Sequence, residues 1–103
     1  MPAGRRIKFV AIAARWFDRS AGNTYHSVRV VRCSDCATIV HPMTYGYDDH
    51  YRQTALRLMA RYKWLPPRYR KDNEFSYERE NNYPVLWTVR DTTKRDCEQN
   101  GEK

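Results

Sequence analysis

Three strand-forming segments separated by nothing longer than a turn fill the first half of the chain and restrict what it can build. Residues 7 to 17, IKFVAIAARWF, combine β-branched and aromatic side chains with little turn chemistry and predict a long first strand. Ser20-Ala21-Gly22-Asn23 closes it. Ser27 to Cys33 alternates valine with serine and arginine at the two-residue period of a half-buried strand, so the pair reads as a hairpin. Ser34-Asp35 is a tighter second turn, and Ala37 to Met43 a third strand that ends near Pro42. Proline cannot donate to a ladder and marks an edge or the strand's exit.

A helix follows. Tyr51, Ala55, Leu58, Met59 and Tyr62 recur at helical spacing as one apolar stripe, with Arg57 and Arg61 pointing roughly the opposite way. Asp48 or Asp49 is placed to cap its start, where a carboxylate satisfies free N–H groups and complements the dipole. Pro66 and Pro67 stop it, and residues 68 to 82 read as a polar, irregular and mobile connection. VLWTV after Pro84 is a short fourth strand. Asp91 or Thr92 then caps a final helical turn or two that Gly101 terminates. The expected order is β-β-β-α-β-α, an α+β fold. In it an antiparallel sheet of three to four strands carries one main helix packed on one face and leaves the other face open for binding.

With 103 residues, the chain is long enough for one core and too short for two independently folding ones, so residues 1–103 read as a single small basic domain. Its longest nearly uncharged apolar run, Phe9 to Ala14, is far shorter than a membrane span, so no membrane partner is expected. Three cysteines cannot all pair within the chain, which argues against a secreted disulfide framework and for a reducing cytoplasm.

The net charge of +7 favours anionic partners, foremost nucleic acid, and most of the 19 basic residues are arginine, whose planar group contacts phosphate bidentately. The excess lies in two blocks. One runs through Arg5, Arg6, Lys8, Arg15, Arg19, Arg29 and Arg32, the other through Arg52, Arg57, Arg61, Lys63, Arg68, Arg70 and Lys71. Trp16, Tyr25, Trp64 and Tyr69 are interleaved with them, the mixture of phosphate neutralisers and stacking platforms that single-stranded or looped nucleic acid requires. The candidate nucleic-acid contacts are Arg15, Arg19, Arg29, Arg32, Arg57, Arg61, Lys63, Arg68 and Arg70, with Trp16 and Tyr25 as candidate stacking residues.

Other chemistry finds less support. Cys33-Ser34-Asp35-Cys36 has the spacing of half a zinc site, which His26, His41, His50 or Cys97 could complete, but no second ligand pair accompanies it and no structural metal is expected. No nucleophile elbow, H-E-x-x-H or phosphate-cradling glycine loop is visible, so neither an enzyme nor a cofactor is expected. Asn23 to His26, Tyr45 to Tyr51 and Asn81 to Tyr83 are three polar, aromatic clusters. They either converge on a site or supply the turn and capping bonds that fasten helix to sheet.

The stretches WFDRSAGNTYHSVRV (16 to 30), MTYGYDDHYRQTALRLM (43 to 59) and ERENNYPVLWTVRDTTKRD (78 to 96) together resemble a group of small proteins encoded in phage and prophage genomes. That group has no established activity, so the resemblance implies a setting and not residue roles. Small phage proteins commonly bind phage or host nucleic acid, or bind and disable a host protein complex, as anti-CRISPR proteins do. The resemblance thus adds a host protein complex to nucleic acid as a possible partner.

Overall fold

The computed structural model describes residues 6–69 and 74–103. In chain order the elements are β1 (Phe9–Asp18), β2 (Asn23–Arg32), β3 (Thr38–Tyr45), α1 (His50–Arg61), α2 (Glu74–Glu80), β4 (Val85–Asp91) and α3 (Lys94–Asn100), with a 3-10 turn at Pro67–Tyr69. The fold is α+β with the expected β-β-β-α-β-α order, to which α2 adds a short helix. The strands form one sheet in the order β3-β2-β1-β4.

The sheet is mixed, where the turns alone predicted an antiparallel one. β1 pairs antiparallel with β2, and β2 with β3, but β4 returns beside β1 in the parallel direction. The reason lies in the connection. The chain leaves β3 at one edge, crosses a face of the sheet through α1 and α2, and re-enters at the opposite edge; such a crossover is what a parallel pair needs. The parallel register sets Arg15 opposite Asp91 and Phe9 opposite Val85.

Helices cover both faces, not one. His26 and Ser27 are successive residues of β2, so their side chains point to opposite faces. His26 bonds to Thr54 of α1, whereas Ser27 Oγ donates to the Cys97 carbonyl of α3 at 2.6 Å. The alanine-rich middle of β1 follows from this double cover. Ala11, Ala13 and Ala14 are essentially inaccessible to solvent, and small side chains let helices approach the central strand from both sides. The core lies on the α1 side, where Phe9, Val28, Val30 and Ile39 of the sheet meet Tyr51, Ala55, Leu58 and Met59 of α1 and Tyr77 of α2.

Several local expectations shift. Glu74–Glu80 are helical, where residues 68 to 82 read as an irregular connection; α2 buries Tyr77 against Phe9, and Glu78 accepts a hydrogen bond from Trp87 Nε1 at 2.9 Å. Asp49 holds the N-cap position of α1 without a side-chain capping bond, and Asp48 has a positive φ of 50°. The helix ends before the prolines, at Tyr62 and the left-handed Lys63, which leaves Tyr62 exposed instead of in the apolar stripe, while Leu56 is buried. Thr93, not Asp91 or Thr92, caps α3 by accepting from the Asp96 amide. Among the described residues no helix is long and apolar enough to cross a membrane.

Candidate nucleic-acid interface

Two of the three polar clusters converge, and they do so as a fastening. His26 is fully buried, with Nδ1–H donating to the Gly46 carbonyl at 3.0 Å and Nε2 accepting from Thr54 Oγ1 at 2.7 Å. A carbonyl only accepts, which fixes this tautomer for the neutral ring. The Gly46 amide closes the contact by donating to the Thr24 carbonyl. Gly46 has to be glycine because a Cβ there would stand 2.6 Å from His26 Cε1 and 2.8 Å from His50 Cγ. Burial pushes the His26 pKa down; the nearby His50 and His41 add to this, and the Gly46 carbonyl opposes it. The third cluster lies elsewhere. Asn81 Nδ2 donates to the Tyr77 carbonyl and to Tyr69 Oη, and Asn82 and Tyr83 take positive φ values to turn the chain into β4.

Outside this fastening, α1 and the edge strand β3 leave a groove. One part, about 210 Å³, is lined by His41, Thr44, Tyr45, His50, Thr54, Arg57, Leu58 and Arg61. A second part, about 290 Å³, shares His41, Leu58 and Arg61 and extends to Val40, Pro42 and Tyr62. Arg57 and Arg61 are one helical turn apart and so stand on the same side of α1. Among the described residues no carboxylate belongs to either lining. His41 Nδ1–H donates to the Pro42 carbonyl at 2.8 Å, which leaves Nε2 as the ring's second polar atom. The groove therefore gathers two guanidinium groups, the His50 imidazole and the Thr44 hydroxyl around one recess; the Thr54 hydroxyl is spent on His26, and the neutral His41 ring presents Nε2 as an acceptor.

A larger cleft of about 610 Å³ opens at the other end of α1, between the β1–β2 turn and residues 47–48. It holds Arg15, Arg19 and the exposed rings of Phe17 and Tyr47, but also Asp48 and Asp91. Arg15 Nε lies 2.9 Å from Asp91 Oδ1, and Nη1 donates to the Asp48 carbonyl at 2.9 Å. Its charge and its donors are largely committed to holding β4 and the start of α1.

The candidate contacts do not gather in one place. Arg57 and Arg61 line the groove, and Arg19 and Arg15 the cleft. Arg29 lies on the α3 face, where Nη2 donates to the Glu102 carbonyl. Arg32 is paired with Asp35 at 2.7 Å and lies over the Trp64 ring; that pairing holds the Asp35 carboxyl down at about 2. Lys63 is exposed at the left-handed residue ending α1. Arg68 stacks on Tyr69 and lies 3.6 Å from Glu80. Arg70 lies outside the described residues.

The aromatic expectation needs a larger correction. Trp16 and Tyr25 are half-buried and stacked on each other at 5.6 Å, with the Lys94 ammonium over Trp16. Trp64 stacks on Phe9 beneath Arg32, and Tyr69 is buried against Tyr77. The ring faces that sequence position offered to bases are thus spent on internal packing. No family model, curated protein or solved structure matches the chain. The exposed rings are others, among them Tyr45, whose ring continues the Trp16–Tyr25 ladder on the α3 side of the sheet. Only the contact between β3 and α1 picks out Thr44 and His50; His50 falls within the polar, aromatic stretch Tyr45 to Tyr51, and Thr44 lies just outside it.

Among the described residues no three His, Cys, Asp or Glu side chains are grouped to hold a metal. Cys33 and Cys36 are exposed free thiols, and Cys97 is a buried one. Burial pushes the Cys97 thiol up, and Ser27 partly offsets the shift.

Proposed function

We propose that the protein binds nucleic acid, with the phosphate backbone running along the groove between β3 and α1. The observation that carries this reading is that Arg57 and Arg61 stand side by side in a lining that holds no carboxylate among the described residues, on a chain whose net charge of +7 favours polyanions. Arginine contacts phosphate bidentately, and the His50 imidazole and Thr44 hydroxyl beside it suit neighbouring phosphate oxygens. Because such binding releases condensed counterions, affinity falls steeply with salt.

Fluorescence anisotropy with labelled DNA and RNA at several salt concentrations tests the reading. The variant Arg57→Ala/Arg61→Ala should weaken binding and flatten the dependence of log affinity on log salt by about 1.4 to 1.8 for two lost phosphate contacts. Arg29→Ala, on the opposite face, should leave most of the affinity in place. Absence of binding at low salt, or an unchanged slope in the double variant, would sink the proposal. A lysate pull-down that recovers one host protein complex, with no affinity for naked nucleic acid, would favour the protein-partner reading instead.

A further inference from the structure

We infer that β4 is a dimerisation edge, which pairs antiparallel with β4 of a second copy of this chain about a two-fold axis through Thr88. The strand pairs only with β1 and closes one side of the sheet. The Pro84 carbonyl and the Thr92 amide bond to β1. Backbone groups alternate sides along a strand, so the even-numbered residues between these two bond inward, and the N–H and C=O of Trp87 and Val89 point away from the sheet. Among the described residues neither has a backbone partner on that side.

Exposed sheet edges invite pairing and are normally blunted. The opposite edge is: β3 carries Pro42 and a break in its register with β2 between His26 and Val28. β4 has neither device. Its register with β1 is continuous, it holds no proline, and its apolar side chains Leu86 and Val89 are 43% and 37% exposed. Val85 is buried, so the open stretch begins at Leu86.

A second copy fits this edge because its sequence complements itself. An axis through Thr88 sets Trp87 opposite Val89 of the copy, and each such pair exchanges both N–H···O bonds. Trp87 and Val89 share the face of Ala11 and Ala13, so the ring meets the valine methyls there. On the other face Thr88 meets Thr88, and Leu86 meets the aliphatic stem of Arg90. No like charges face each other, whereas an axis moved to residue 90 would oppose Arg90 to itself. Each copy carries a net charge of +7, so salt should tighten the dimer by screening that repulsion, while it weakens the nucleic-acid binding proposed above.

Sedimentation velocity from about 1 µM to about 1 mM, the span suited to a small interface, should show monomer giving way to dimer, the more so at high salt. Amide exchange followed by NMR locates the contact. The Trp87 and Val89 amides should exchange quickly in dilute protein and slowly in concentrated protein, while the Leu86 and Thr88 amides, bonded to β1, stay protected in both. Val89→Pro removes an outward N–H without touching the β1 ladder and should weaken the dimer roughly 5- to 150-fold, for one hydrogen bond lost from each copy. Val89→Lys should weaken it roughly 2- to 30-fold, for two cross-strand pairs. A monomer at every concentration, or a dimer in which neither the two amides nor the Val89 variants respond, overturns the inference. Neither result bears on the groove, which Arg57→Ala/Arg61→Ala tests.

Discussion

Replacing Gly101 with alanine probes how α3 is fastened across the sheet. Gly101 has a φ of −93°, which alanine adopts freely, so the substitution carries no backbone strain. What it lacks is space. A Cβ would stand 2.6 Å from the His41 carbonyl oxygen, 2.8 Å from Pro42 Cα and 3.0 Å from Ser27 Cβ. Two of these atoms belong to the backbone of β3 and cannot swing aside, so α3 has to move. Overpacking of this kind costs about 1–3 kcal/mol. The loss is capped by what docks the helix, chiefly Ser27 Oγ to the Cys97 carbonyl at 2.6 Å and Asn100 Nδ2 to the Ile12 carbonyl at 3.0 Å, each worth about 1 kcal/mol net, together with burial of Cys97. If the clash exceeds that, α3 releases while the sheet stays folded.

Two readouts separate the cases. Thermal unfolding followed by circular dichroism should show a fall of roughly 4–8 °C for each kcal/mol lost. A chromogenic thiol reagent should react at once with the exposed Cys33 and Cys36 and slowly with the buried Cys97. Gly101→Ala should speed the slow phase by roughly 5- to 150-fold, the opening equilibrium that about 1–3 kcal/mol corresponds to. Asn100→Ala should move both readouts the same way. Gly22→Ala is the control. Gly22 has a φ of +73° and nothing within 4 Å of its Cβ position, so alanine there lowers global stability by about 1–2 kcal/mol through backbone strain and leaves α3 docked. An unchanged melting temperature with full protection of Cys97 in Gly101→Ala would refute the packing argument.

Three further outcomes are expected. Because the folded pKa of His26 lies below its ordinary 6.5, the stability from its neutral form is complete above that value and is lost as pH falls through the folded pKa; the urea midpoint should drop from pH 7.5 to 5, and His26→Gln should be less stable at pH 7.5 and lack the drop. Arg15→Ala should cost about 1–2 kcal/mol in urea unfolding, most of it from the bond to the Asp48 carbonyl, since the partly exposed ion pair with Asp91 is worth less than about 1 kcal/mol; oligonucleotide affinity should change far less than in Arg57→Ala/Arg61→Ala. A chelator should leave the melting temperature unchanged, whereas a fall would mean that the Cys33–Cys36 hairpin takes part in a metal site.

The strands, the main helix and the basic character follow from local chemistry that the sequence carries openly. Val28 and Val30 alternate with Arg29, Tyr51 to Met59 repeats at helical spacing, and Gly22-Asn23 breaks the chain between two strands. The direction of β4 is not local information: VLWTV pairs equally well either way, and only the crossover through α1 and α2 makes it parallel to β1. α2 escaped notice because its polar residues outnumber the two that matter, Tyr77 and Glu78, whose value depends on Phe9 and Trp87 from other strands. The same limit applies to the candidate site. Arg57 and Arg61 stood out from sequence because they oppose an apolar stripe. Trp16 and Tyr25 are cross-strand neighbours in the β1–β2 register, so they stack on each other, and the exposed ring falls to Tyr45 on the edge strand. Sequence determines which residues can meet phosphate or base; which of them face solvent together is decided by strand register and by what each helix covers.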